Sequence, residues 1–200
     1  MKRALLMMLL AVVVAAPMQA RGKKQASTEP GKYKEWGPDI DQIEIVKPFR
    51  FADYKAVVVE PFDTSAAKLP DKDDNSYDEA KMVLAGTAVG LAQGLRASVT
   101  QSVETDEKPA KEAGTLLIRG KVTVMDPGSR AARYWAGFGA GAARTEIEAE
   151  VIDAATGETL LRFTQQRRSG VGVYGGDYQE LMKRNLNAIG EDVGAMLRMF

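Results

Sequence analysis

The chain has 200 residues, with 27 Lys plus Arg balanced by 27 Asp plus Glu, 45% hydrophobic content, and neither Cys nor His. Those two absences exclude disulfides, Ser-His-Asp and Cys-His nucleophile systems, thiolate- or imidazole-ligated zinc, and the usual proton shuttle of neutral pH. The even charge offers nucleic acid no bulk attraction.

Lys2 and Arg3, an apolar stretch from Leu5 to Ala16, and Ala20 before Arg21 make residues 1–20 a secretory signal peptide. The apolar stretch is well short of the about 20 residues that a membrane span needs. The mature protein is expected to start near Arg21, to carry a small negative charge, and to be periplasmic or secreted without a transmembrane segment. With no Cys it cannot be lipidated at its N-terminus. Residues 21–40, polar and broken by Pro30, Gly31 and Pro38, read as a flexible tether in which Tyr33 and Trp36 are the parts able to dock. Residues 41–200 are left for a single domain.

Ile43 to Val46 begins this domain as a short strand. Tyr54 to Phe62 follows, and its run Ala56 to Val59 reads as a strand covered on both faces, closed by Pro61. Asp63 to Ser76 is a polar loop whose DKDDNS resembles a calcium loop but lacks the required Gly and closing Glu, so a solvated loop is expected and no metal. Asp78 to Val103 places Leu84, Ala88, Leu91, Leu95 and Val99 on the stripe of an amphipathic helix. Within it Gly86, Gly90 and Gly94 recur every four residues, each costing about 1 kcal/mol relative to Ala, which calls for a close approach in return. That approach is either of helix to sheet or of this helix to another subunit.

Thr115 to Met125 alternates, with Leu116, Ile118, Val122 and Val124 on one face. Thr145 to Ile152 does the same, with Ile147, Ala149 and Val151 inward and Glu146, Glu148 and Glu150 outward. A turn at Ala154 to Gly157 leads to the strand Thr159 to Gln166, an antiparallel neighbour, with Gly157 free to take a positive φ. Arg162, Arg167 and Arg168 then lie near the three outward Glu residues as cross-strand partners. The final helix, Asp177 to Met199, carries Met182, Leu186, Ile189, Val193 and Leu197 and is expected beside the first helix. The order strand-helix-strand-strand-strand-helix predicts an α+β fold, with one mixed or antiparallel sheet of four or five strands and two long helices on one face.

Pro127 to Arg144, PGSRAARYWAGFGAGAAR, satisfies the loose spacing of a dinucleotide fingerprint at Gly137, Gly139 and Ala142. A strand follows it rather than a helix, so the helix N-terminus that would hold a pyrophosphate is missing and no cofactor is expected. Arg130, Arg133, Tyr134, Trp135 and Phe138 make the segment basic and aromatic, as partner-recognition surfaces are; alternatively Trp135 and Phe138 cap the core. Eighteen residues is long for a structural hairpin. Tyr174 in GVGVYGG, Gly170 to Gly176, is expected beside it.

VVVEPF at Val57 to Phe62, the run from Leu116 to Leu160, and Gly175 to Gly176 before the last helix resemble the DUF4410 domain family. The most specific part is GSRAARY at Gly128 to Tyr134, then GFGAG at Gly137 to Gly141 and DAATGE at Asp153 to Glu158. The resemblance implies an exported bacterial envelope protein, often lipidated, similar in fold to the N-terminal domain of TolB and without an established activity. The missing lipoprotein Cys is a departure from that pattern.

The reading is a non-enzymatic envelope binding or assembly-accessory protein with no catalytic residues, using the 128–144 segment against an envelope protein or glycan partner. One alternative is a carboxylate-dependent enzyme acting on glycans through Glu60 and Asp153, the acids at strand ends. Another is a structural module that self-assembles through the Gly86, Gly90 and Gly94 face.

Overall fold

The computed structural model describes residues 26–37, 39–128, 142–169 and 177–200. In chain order it contains β1 (Gly31–Trp36), β2 (Ile40–Ile45), β3 (Ala56–Val59), α1 (Tyr77–Ala85), α2 (Thr87–Ser98), β4 (Ser102–Thr105), β5 (Thr115–Asp126), β6 (Ala143–Asp153), β7 (Thr159–Ser169) and α3 (Tyr178–Leu197). The described strands form one mixed sheet in the order β1-β2-β7-β6-β5-β3-β4. Pairing is antiparallel from β1 through β5, whereas β3 runs parallel to both β5 and β4. The α+β class and the mixed sheet hold, but the described residues form seven strands rather than four or five, and three helices rather than two.

Three local causes account for the extra elements. Residues 31–36, expected in the tether, pair with β2, and Trp36 is buried at 3% exposure. Its ring stacks on Phe200, which stacks on Phe49, and its indole N–H donates to the Ser27 carbonyl at 2.7 Å. The first helix breaks at Gly86, where Thr87 Oγ1 turns back to the Leu84 carbonyl at 2.8 Å. It then ends at Ser98 instead of Val103, because residues 102–105 leave it to pair with β3.

The three described helices cover one sheet face, and the core lies between them and the sheet. Val57, Val59, Leu116, Ile118, Ile147, Val151 and Leu161 point into it, against Leu91, Leu95, Met182, Leu186, Ile189 and Val193. Because the described helices cover only one face, Ala56 and Val58 of β3 remain partly exposed, against the expectation of burial on both sides. In β5 the register shifts between Val122 and Val124, so Met125 rather than Val124 enters the core. Beyond β3, residues 61–69 continue along β5, with Asp63 bridging Lys121 and Lys68 bridging Val124. The β6–β7 hairpin and the positive φ of Gly157 (74°) follow the sequence pattern.

Candidate functional site

The two segments singled out in the sequence leave the sheet at the same end. β5 and β6 pair out to Asp126↔Arg144, and β6 and β7 out to Ala143↔Ser169. The described chain therefore stops at Gly128 and Ser169 on strand ends that flank β6. Arg130, Arg133, Tyr134, Trp135, Phe138 and Tyr174 lie outside the described residues.

Beneath those strand ends, on the helix side, sits a buried polar cluster. Asn185, 2% exposed, accepts a hydrogen bond from Ser169 Oγ, and its amide N–H groups point to Thr145 Oγ1 and the Arg167 carbonyl, each at 3.5 Å. Arg167 makes a two-pronged bond to Asp192, with Nε to Oδ2 at 2.6 Å, and Gln165 donates to the same Oδ2 at 2.6 Å. Gln165 also accepts from the Asp41 backbone N–H at 3.2 Å, and Arg167 reaches Asp39 at 3.7 Å. Burial pushes the Asp192 carboxyl above its usual range, and the bonds from Arg167 and Gln165 offset this only in part. The hydrogen bond to Asp192 holds the Arg167 guanidinium above its ordinary value. Arg167 thus leaves the group in which the sequence placed it with Arg162 and Arg168. It serves the core face.

The opposite face of the sheet, which none of the described helices covers, forms a groove of about 830 Å³. Two rows of side chains cross it at right angles to the strands. In the first, Lys32, Glu44, Arg162, Glu150 and Arg119 alternate in sign from β1 to β5 and are joined at 3.4, 3.5, 3.7 and 2.8 Å. Here the expected cross-strand pairing holds for Glu150 with Arg162, whereas Glu146 pairs with Arg144 of its own strand and Glu148 with Lys121. In Glu150 the cost of burial is outweighed by bonds from Arg119 and Thr159, and its pKa is lowered. In the second row Lys34 faces Gln42, Gln42 faces Thr164, Thr164 faces Glu148 and Glu148 faces Lys121. Glu148 and Lys121 pair at 2.9 Å, and this bond raises the Lys121 pKa.

The glycine stripe has an intramolecular partner. A Cβ on Gly90 would stand 3.0 Å from Leu186 Cβ, and one on Gly94 only 1.9 Å from the Asn187 carbonyl oxygen. Gly190, reciprocally, faces the Leu91 carbonyl at 2.2 Å. The close approach seen in this chain is to α3 rather than to the sheet; Gly86, with its nearest contact at 3.6 Å, has no part in it.

Glu60 and Asp153 do not converge. Asp153 accepts from Tyr54 Oη at 2.9 Å; it lies opposite Leu116, which lies opposite Val57, so Glu60 is two strands across and on the order of 10 Å further along the strand direction. Asp153 is occupied as a turn residue, its Oδ1 accepting from the N–H groups of Ala155 and Thr156, both at 3.0 Å. Burial favours its neutral form, but these bonds prevail and lower its pKa. In the DKDDNS loop Asp74 Oδ1 accepts from Ser76 N–H at 2.8 Å, which leads the chain into α1. Lys34, Gln42, Thr164 and Asp192 went unsingled by sequence reasoning, because their neighbours come from strands distant in the chain.

The model of the family described as "Domain of unknown function (DUF4410)" matches residues 57–172. No curated protein matches the chain. Among solved structures the chain is similar to the PelC dodecamer from Paraburkholderia phytofirmans, at 15% identity and TM-score 0.43, over 74% of this chain and 96% of that one. It is similar to a Xanthomonas campestris protein of the family model DUF330, at 11% identity and TM-score 0.42, over 74% and 88%. A Neisseria meningitidis lipoprotein is similar at 12% identity and TM-score 0.32, over 72% and 99%.

Proposed function

Because the chain belongs to the DUF4410 domain family, whose description assigns no activity, we propose from its own residues that it is an exported, non-enzymatic binding or assembly-accessory protein of the cell envelope. Its contact surface is the Gly-rich segment 128–144, with Arg130, Arg133, Tyr134, Trp135 and Phe138 as the binding residues and Tyr174 beside them. The observation that carries this reading is the pairing Asp126↔Arg144 next to Ala143↔Ser169, which launches both glycine-rich segments from adjacent strand ends. The strands that end beside the segment are central ones of the sheet, and loops carried by such rigid scaffolds commonly hold binding residues. The N-terminal pattern of residues 1–20 supports export. Among the described residues, no helix is long and apolar enough to cross a membrane.

The test is a photo-crosslinking residue at position 135 of the full chain in intact cells. A discrete heavier adduct, lost when Arg130 and Arg133 are both changed to Glu, supports the reading. Absence of any adduct from folded, exported protein overturns it. Trp135→Asp and Phe138→Asp should leave the melting temperature within a few degrees; unfolding of either would return that residue to the core.

A further inference from the structure

The two rows on the open sheet face differ in how far their bonds are satisfied. The first row closes on itself through four ion pairs, and Thr159 Oγ1 adds a bond to Glu150 at 3.0 Å. The second row is closed only at its Glu148–Lys121 end. Its other half, Lys34, Gln42 and Thr164 on the adjacent strands β1, β2 and β7, makes no side-chain hydrogen bond or ion pair among the described residues. An ammonium, an amide and a hydroxyl thus stand in register about 5 Å apart, spanning about 10 Å of the groove. Beside them the paired first row forms a fixed wall, with Lys32 next to Lys34 on the same edge strand.

From this contrast we infer that the open sheet face is a second binding site, taking a carboxylate-bearing saccharide with its acid group at Lys34 and its hydroxyls on Gln42 and Thr164. The groove volume of about 830 Å³ lies within the range of small-ligand sites. Every side chain of the two rows is polar or charged, so a ligand lying along them meets hydrogen-bonding groups, while the apolar lining, Pro61 among it, lies outside the rows. Gln42 and Thr164 each both donate and accept, which suits hydroxyl groups, and a charge-assisted bond at Lys34 fixes which end of the ligand lies at the sheet edge. The charges of the first row are already paired with one another, so they compete less for the ligand's acid group than Lys34 does. This site is independent of the 128–144 segment and stands or falls without it.

Titration of the isotopically labelled mature protein with trigalacturonate, followed by amide NMR shifts, tests the inference. Saturable shifts are expected at Lys34, Gln42 and Thr164, with affinity lowered tenfold or more in Lys34→Glu and severalfold in Thr164→Val. Arg119→Ala, in the closed row, should change affinity less than twofold. The methyl ester of the same saccharide should bind at least tenfold more weakly. No saturable shift, equal binding of the ester, or shifts centred away from these three residues overturns the site. Tighter binding of triglutamate than of trigalacturonate overturns the saccharide assignment in favour of an acidic peptide. All three substituted positions are exposed or half-exposed, and unchanged melting curves verify that each variant is folded.

Discussion

Gly94 and Asn187 meet backbone to backbone, so that a single added carbon on Gly94 would lie 1.9 Å from the Asn187 carbonyl oxygen. Neither atom can step aside without moving a helix axis. Gly94→Ala should therefore separate α2 from α3 and cost about 3 kcal/mol or more. Gly86→Ala is the control, since its Cβ would find only the Val83 carbonyl at 3.6 Å and its φ of −94° suits any residue. It should change stability by less than about 1 kcal/mol. Urea unfolding of the two variants decides the point. Gly90→Leu would meet Leu186 in the same way, and should lower stability at every protein concentration.

β5, β6, β7 and the last helix were legible in the sequence, because period-two or helical patterning over eleven or more residues leaves little ambiguity. β1 and β4 were not. In GKYKEW only Trp36 is buried, and in SVET only Val103, so neither edge strand has an alternation to read. Arg162 and Arg167 were grouped by proximity, yet they are five positions apart, and an odd separation in a strand puts side chains on opposite faces. That parity alone assigns Arg167 to the core side, where Asp192 waits. Lys34, Gln42 and Thr164 carry no such local signal, because their juxtaposition depends on β2 inserting between β1 and β7.

Arg96, in the last turn of α2, donates from Nε to the Val103 carbonyl at 2.9 Å and so occupies an acceptor on the outer edge of β4. An edge strand with free backbone groups is a template for another chain. Arg96→Ala should cost about 1 kcal/mol in stability. Its larger effect should be concentration-dependent association, read by light scattering at protein concentrations where the unsubstituted chain scatters as a constant mass.

Arg167 and Asp192 differ sharply in exposure, with side-chain values of 33% and 6%. Replacing the arginine strands a carboxylate in the core, whereas replacing the aspartate leaves a cation that can turn to Asp39 and water. Arg167→Met should cost about 3 kcal/mol or more, and Asp192→Ala distinctly less. The double variant should recover much of the loss of Arg167→Met. A denaturation cycle over the four proteins measures the coupling, and equal costs for the two single variants would contradict it.

The acids Asp192 and Asp153 give opposite pH dependences. The folded pKa of Asp192 is raised, so the stability tied to its protonated form is fully present below the unfolded value near 3.8 and declines as pH rises toward the folded value. Asp153 is lowered, so its contribution is fully present above 3.8 and is lost as pH falls through its folded value. Asp153→Ala should therefore be less stable than the unsubstituted protein at pH 7, with the gap closing below about pH 4 as the native carboxylate takes up its proton. The weakened bonds are those from Tyr54, Ala155 and Thr156, which the charged form accepts best. Chemical denaturation at pH 7, 5 and 3 follows the gap. A difference that stays constant across that range would mean that Asp153 holds the turn by geometry, with its charge contributing nothing.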